Sequence, residues 1–364
     1  TSTPTPSPTP TNTPTPTNTP TPKYTATPVP TATPLPTPTP EPTDKGALLA
    51  EPNVILELES KDFTYLKVDG KWFVTGFSAS GKKKFNQYGP NDYVQITLPK
   101  TITTTRTTGP GVSCYMDSGA NEDDNLGDEY ATYPLRDMVT LRSAYLKIVC
   151  PTTIRYFYGV RNTYKTLGDY AYKLREIELS KETIIIYDSA FRGLTGITEV
   201  TIPDTVKEIG EHAFDGCTNL TFDMVNVGGV KIGARAFNGV TIDTVKAVDE
   251  LKSGSYVNSP SNGCFYGANI KQIDFENVVN YIPPYYFAGA YFSPDYQISL
   301  NDVTVIDPYA FAGSYDLDIW LTDAIWEVDS TAFLNCQRLH ATVKFGSPAY
   351  TALRKAGIEF DEFH

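Results

Sequence analysis

The sequence predicts a solenoid of mostly short parallel β-strands with turns and short helices, about ten coils of ~23 residues, standing behind an extended Pro-Thr segment. Three observations lead there. An Ala-Phe-like pair recurs at Ala190-Phe191, Ala213-Phe214, Ala236-Phe237, Cys264-Phe265, Tyr286-Phe287, Ala310-Phe311 and Ala332-Phe333, with the phenylalanines 23, 23, 28, 22, 24 and 22 residues apart. A short apolar-x-apolar pair follows each Phe, the period-two mark of a strand. The first 43 residues hold 15 Pro and 17 Thr against two charged residues, Lys23 and Glu41.

In chain order, residues 1–43 come first. They have almost nothing apolar to bury, so they cannot offset the entropy of folding into a core and read as a disordered stalk or linker. Alternation such as Thr13-Pro14-Thr15-Pro16 fixes φ at every second residue and favours polyproline II. At ~3.1 Å per residue the segment reaches roughly 130 Å when fully extended. Its threonines suit O-glycosylation. Such linkers resemble those of secreted multi-modular bacterial proteins. The chain starts at Thr1 without a signal-like segment, so a longer protein upstream is expected.

The net charge of −12 argues against a nucleic-acid partner, and the one dense basic run, Lys82-Lys83-Lys84, reads as a solvated turn. No stretch approaches the ~20 apolar residues of a membrane span. The cysteines, Cys114, Cys150, Cys217, Cys264 and Cys336, are too scattered for a disulfide framework or a CxxC metal site. Cys150, Cys217, Cys264 and Cys336 read as small core residues. Cys217 and Cys336 lie five repeats apart, too far to bond.

The strand pairs are Val200-x-Ile202, Phe222-x-Met224, Val245-x-Ala247, Ile273-x-Phe275, Ile298-x-Leu300, Ile319-x-Leu321 and Ala341-x-Val343, with degraded copies from Ile96, Ile148 and Ile177. One repeat cannot bury its own apolar face, whereas stacked neighbours share a core. Segments such as Glu199-Val-Thr-Ile-Pro-Asp-Thr-Val-Lys-Glu-Ile-Gly-Glu-His-Ala-Phe-Asp-Gly-Cys-Thr-Asn-Leu220 resemble the BspA-type leucine-rich repeat of bacterial cell-surface proteins. The run from Gly346 to Phe360 is similar to that family's closing helix and last strand, and Val68 to Phe77 to its opening hairpin. The resemblance implies an α/β leucine-rich-repeat solenoid, right-handed, with adhesion or binding roles. Domain bounds follow: 1–43 stalk, 44–95 N-terminal capping region with a hairpin, 96–345 solenoid with an irregular insertion at 103–138, and 346–364 C-terminal cap.

No catalytic centre is expected. His212, His340 and His364 fall far apart, without a nucleophile beside them, and paired carboxylates are commonplace in an acidic chain. The acidic run Asp117 to Glu129 lacks the glycine spacing of a calcium loop and reads as a solvated insertion, so neither metal nor cofactor is expected. The strand middles are the candidate binding face. If flanking apolar residues point inward, Glu178, Thr201, Asp223, Lys246, Asp274, Ser299, Trp320 and Thr342 point outward, with Thr97, Val149, Glu176, Glu199, Glu276 and Asp318 beside them. This face is acidic apart from Lys246 and Lys344. Trp320 stands out, because an outward aromatic on a sheet has no core to explain it.

The function expected is a non-enzymatic secreted or cell-surface module that binds a protein or glycan ligand and is displayed on its stalk. The alternative is an accessory or carbohydrate-binding domain of a larger secreted carbohydrate-active enzyme.

Overall fold

A computed structural model describes residues 51–68, 71–100, 144–151, 156–157, 173–275 and 280–363. The Pro-Thr segment, the 103–138 insertion with the Asp117–Glu129 run, Cys114, Glu276 and His364 lie outside the described residues.

The chain winds as a solenoid whose coils each carry a longer strand on one face and a two-residue strand on another. The first face begins with β1 (Val54–Leu56), β4 (Tyr93–Thr97), β5 (Tyr145–Val149) and β7 (Leu174–Glu178), all parallel. It continues through an isolated Glu176 to Glu199 bridge to β10 (Thr221–Asn226), β12 (Thr241–Ala247), β14 (Asn269–Phe275) and β16 (Tyr291–Phe292). A third sheet holds β17 (Ile298–Ser299), β19 (Asp318–Leu321), β21 (His340–Lys344) and β22 (Asp361–Phe363). An antiparallel hairpin, β2 (Phe63–Val68) and β3 (Lys71–Phe77), is inserted between the first two coils. The parallel ladder thus starts at Val54, inside the region read from sequence as a cap.

The second face was not foreseen. Its strands are β6 (Tyr156–Phe157), β8 (Ile185–Ile186), β9 (Glu208–Ile209), β11 (Lys231–Ile232) and β13 (Lys252–Ser253), followed by β15 (Tyr281–Ile282), β18 (Val305–Ile306) and β20 (Glu327–Val328). Two residues are too short to show a period, although the dipeptide before Gly210 and Gly233 repeats in sequence.

Between the two faces the repeated phenylalanines form one continuous stack. Phe157, Phe191, Phe214, Phe237, Phe265, Phe287, Phe311 and Phe333 follow one another at ring-centroid spacings of 4.9, 4.7, 5.6, 5.0, 5.1, 5.4 and 5.3 Å. Stacked rings add about 0.5–1.5 kcal/mol per pair beyond their buried area. The Ala or Cys before Phe191, Phe214, Phe237, Phe265, Phe311 and Phe333 leaves room for successive coils to close up, while Phe287 is preceded by Tyr286. The turn after each Phe enters the left-handed region at Gly193, Gly216, Gly239, Gly267, Gly289 and Gly313, and in the last coil at Asn335. Asparagine is the non-glycine residue that best tolerates that conformation.

Two expectations need correcting. Lys82–Lys84 are not in a turn but in helix α1 (Ala79–Phe85), where Lys84 reaches the buried Asp62 at 2.7 Å. The strand read as Phe222-x-Met224 is out of step: Met224 is 57% exposed, while Phe222, Val225 and Val227 are buried. These middle coils place two outward residues between their first two inward ones, a kink that simple alternation does not anticipate. Asn226, not Asp223, therefore pairs with Lys246. After the last coil comes helix α2 (Pro348–Ala356), with Ser347 as N-cap and Gly357 left-handed at its end, followed by β22.

All four described cysteines are free. Cys150, Cys217 and Cys264 are buried and Cys336 partly so, and burial pushes the thiols of Cys150, Cys264 and Cys336 up to about 12 and that of Cys217 higher still. Cys217 and Cys336 donate to the carbonyls of Phe191 and Phe311, one coil back, as Ser314 does to Phe287. Their role is to tie coils together.

Candidate functional site

The expected outward ladder divides into a self-neutralised half and an open half. At the N-terminal end, Lys147 on β5 lies 2.6 Å from Glu176 and 3.7 Å from Glu178, so these carboxylates are already paired. Lys147 is a further exception to the acidic face that alternation alone did not identify. In the middle, Lys271 meets Asp243 at 2.6 Å and Lys246 meets Asp274 at 3.7 Å. Thr201 and Asp223 are exposed. Asp274 and Ser299 do not sit on bonded neighbours, because β14 pairs with β16 and β17 begins a separate sheet.

The open half is the face of β17, β19, β21 and β22. There Ser299, Trp320 and Thr342 stand in register on successive strands, and Thr342 is followed by Asp361. Trp320 is 41% exposed, as the period-two reading expects. Its ring meets Phe363 of β22 edge-on at 6.4 Å, and Phe363 is itself 40% exposed. Two strands that flank β21 thus place two exposed aromatics together. The Thr342 hydroxyl is covered and makes no hydrogen bond among the described residues, and Thr322 gives its hydroxyl to the Leu300 carbonyl. Neither is available as a ligand partner in this arrangement.

Beside the aromatic pair lies a row of polar groups. Gln297 donates to Asp318 at 2.9 Å, and His340 joins Asp318 at 3.2 Å through Nδ1 to Asp361 at 2.8 Å through Nε2. The hydrogen bond that His340 donates to Asp318, helped by both carboxylate charges, holds the imidazole above its ordinary value. A cleft of about 700 Å³ opens next to this row, lined by His340, Tyr350, Arg354, Phe360 and Asp361 among others. The arrangement offers an aromatic surface, carboxylate acceptors and a titratable donor.

A second polar cluster sits in the turns. Arg192 at 3.1 Å and His212 at 2.9 Å hold Asp215, and Asn238 donates to its other oxygen at 2.6 Å. Burial pushes that carboxyl up, but the bonds from His212 and Asn238 and the Arg192 charge overcome it and leave Asp215 below the usual carboxylate range. Arg192 and Asn238 reach Asp215 from the coils on either side and His212 from its own turn, which is a structural use. Among the described residues no three His, Cys, Asp or Glu side chains are placed to hold a metal ion, and no helix is long and apolar enough to cross a membrane.

The chain matches the pattern of the family described as the BspA type leucine rich repeat region in six copies, over residues 159–262 and 228–340. No curated protein matches it. Among solved structures it is similar to a leucine-rich repeat protein from Bacteroides ovatus ATCC 8483, with 16% identity over 80% of this chain and 71% of that one and a TM-score of 0.37. It is also similar to a leucine rich cell surface protein from Faecalibacterium prausnitzii A2-165, with 15% identity over 80% of this chain and 95% of that one and a TM-score of 0.26. With six repeats matched across half of its length and one phenylalanine stack running through them, the chain belongs to the BspA-type leucine-rich-repeat family.

Proposed function

We propose that this chain is a non-enzymatic interaction module of the cell surface or extracellular space, held out on its Pro-Thr segment and binding a protein or glycan ligand through its outward strand face. The reading needs no cofactor. The observation that carries it is Trp320, a large ring exposed in the middle of a parallel strand, in register with Ser299 and Thr342. A buried ring would be explained by packing; an exposed one beside Phe363 and the Asp318–His340–Asp361 row offers a ligand a large, low-entropy contact.

The ladder of Glu178, Thr201, Asp223, Lys246, Asp274, Ser299, Asp318, Trp320 and Thr342 contributes unequally in this reading, with contact centred on Asp318 and Trp320. Arrays of glycans and extracellular proteins probed with wild type and Trp320→Ala test it. Loss of about tenfold or more in affinity for any ligand found is expected, corresponding to about 1.4 kcal/mol. A ligand bound equally by both proteins would place the site elsewhere.

A further inference from the structure

The turn edge of the solenoid changes character halfway along. In the coils before residue 260, the position after the repeated Phe is Arg192, Asp215 and Asn238, bonded to one another. In the next coil it is Tyr266. At the start of the first-face strands, Thr221, Thr241 and Asn269 stand in register and are followed by Tyr291 and Tyr315. The fold does not require tyrosine at these positions, since neighbouring coils with the same backbone use small polar residues.

The three rings form a stripe with covered faces. Tyr291 and Tyr315 stack on each other at 4.5 Å and 13°. Tyr266 carries the Arg235 guanidinium 4.6 Å above one face, and the Gly289 backbone packs against its ring. Sugar stacking needs an open ring face, and each ring here has at least one face taken. Hydroxyls and ring edges remain. The hydroxyls of Tyr266 and Tyr291 make no hydrogen bond among the described residues, and that of Tyr315 accepts from Gln337 at 3.4 Å, which leaves its proton free to donate. The stripe is a row of phenolic donors.

A row of donors calls for a partner rich in acceptors. A polyproline II chain is such a partner, because it has no internal hydrogen bonds and its carbonyls are bare, while each proline also removes an N–H. Its turn of three residues at ~3.1 Å rises about 9.3 Å, close to the ~9.6 Å of two coils at the usual ~4.8 Å strand spacing. Residues 1–43 of this protein, with their alternating Thr and Pro, have the composition of such a chain. Tyr266 lies seven strand steps from β1, roughly 34 Å, which the residues preceding Glu51 can span several times over. The segment has only two charges, of opposite sign, so the acidic body does not repel it.

We propose that Tyr266, Tyr291 and Tyr315 form a docking surface for a polyproline II chain, and that its occupant is this protein's own Pro-Thr segment. The docked segment folds back along the turn edge and leaves the Trp320 face free. Release of the segment converts a compact particle into one with a long arm.

Small-angle X-ray scattering of the full chain, extrapolated to zero concentration, tests this. The triple variant Tyr266→Asn, Tyr291→Thr, Tyr315→Thr carries residues that neighbouring coils already use, and its circular dichroism checks that the fold is kept. Its maximum dimension should exceed that of wild type by on the order of 40 Å. The triple Tyr→Phe variant, which keeps the rings and removes the hydroxyls, should lengthen similarly. Equal dimensions in wild type and the Asn/Thr variant overturn the proposal. A Phe variant as compact as wild type overturns the hydroxyl-to-carbonyl chemistry. Equal dimensions together with xylohexaose or mannan binding that only wild type shows would reassign the stripe to a glycan.

Discussion

His340 lies between two carboxylates from different strands, Asp318 on β19 and Asp361 on β22, so its protonation bears on how firmly the last strand is held. With both ring nitrogens protonated it donates to both acids; neutral, it keeps one N–H and turns a lone pair toward the other. Its folded pKa is raised above the ordinary 6.5. The stabilisation is therefore fully present below about pH 6.5 and is lost as pH rises through the folded value. We expect wild type to melt above His340→Gln near pH 6 and the gap between the two melting temperatures to close as pH rises through the folded value. Parallel curves across that range would show that the imidazole charge is not used. Because Phe363 lies on the strand so held and flanks Trp320, the same titration reaches the proposed ligand face. His340 was read in the sequence as a strand residue without a nucleophile; its two carboxylate partners come from positions 22 residues before it and 21 after it, a relation that alternation within one strand does not carry.

At the level of the turn, each coil depends on a residue after Phe that can adopt positive φ. Gly239 shows this most cleanly: φ is 84°, and a Cβ placed there would meet nothing closer than 3.8 Å. Space is not limiting, so Gly239→Ala isolates backbone strain, with an expected loss of about 1–2 kcal/mol in urea unfolding. A change below about 0.3 kcal/mol would mean that the turn relaxes into another conformation. This element was legible in sequence, because the Ala-Phe pair and the glycine recur at a fixed offset and the repeat length fixes where neighbours stack. The longer strands were legible wherever alternation held, as at Ile319-Trp320-Leu321. They were misread at Phe222 to Met224, where an extra outward residue shifts the period, and the two-residue strands of the second face were missed because nothing so short has a period. Helix α1 also went unseen, since its buried side holds only Gly81 and Phe85 and its three lysines read as a turn.

Across the whole molecule the coils form a near one-dimensional array, whose cooperativity depends on what crosses each junction. One junction is thin. The second-face ladder stops at β13 and restarts at β15, and on the first face β14 shares only two residue pairs with β16 and none with β17. Tyr286 takes the small-residue position there, with its ring fully buried and its hydroxyl unbonded among the described residues. It is a full ring where the other Ala-Phe-like pairs of the repeat have Ala or Cys. The junction is held by the Phe265–Phe287 and Phe265–Tyr286 contacts at 5.1 and 5.5 Å and by backbone bonds such as Gly267 to Gly289 at 3.0 Å and Tyr291 to Ala268 at 2.9 Å. Phe265→Ala removes the central contact at a cost of about 3–5 kcal/mol, a loss that weakens the coupling between blocks and, through the Phe237 stack at 5.0 Å, the N-terminal block as well. In a Trp72→Phe background, fluorescence reports only Trp320 and Trp326, both beyond the junction, while far-ultraviolet circular dichroism reports all coils. The two probes should give coincident urea transitions with Phe265 intact and separate ones with Phe265→Ala. Coincident curves that move together to lower urea would mean that the remaining contacts suffice to couple the two blocks.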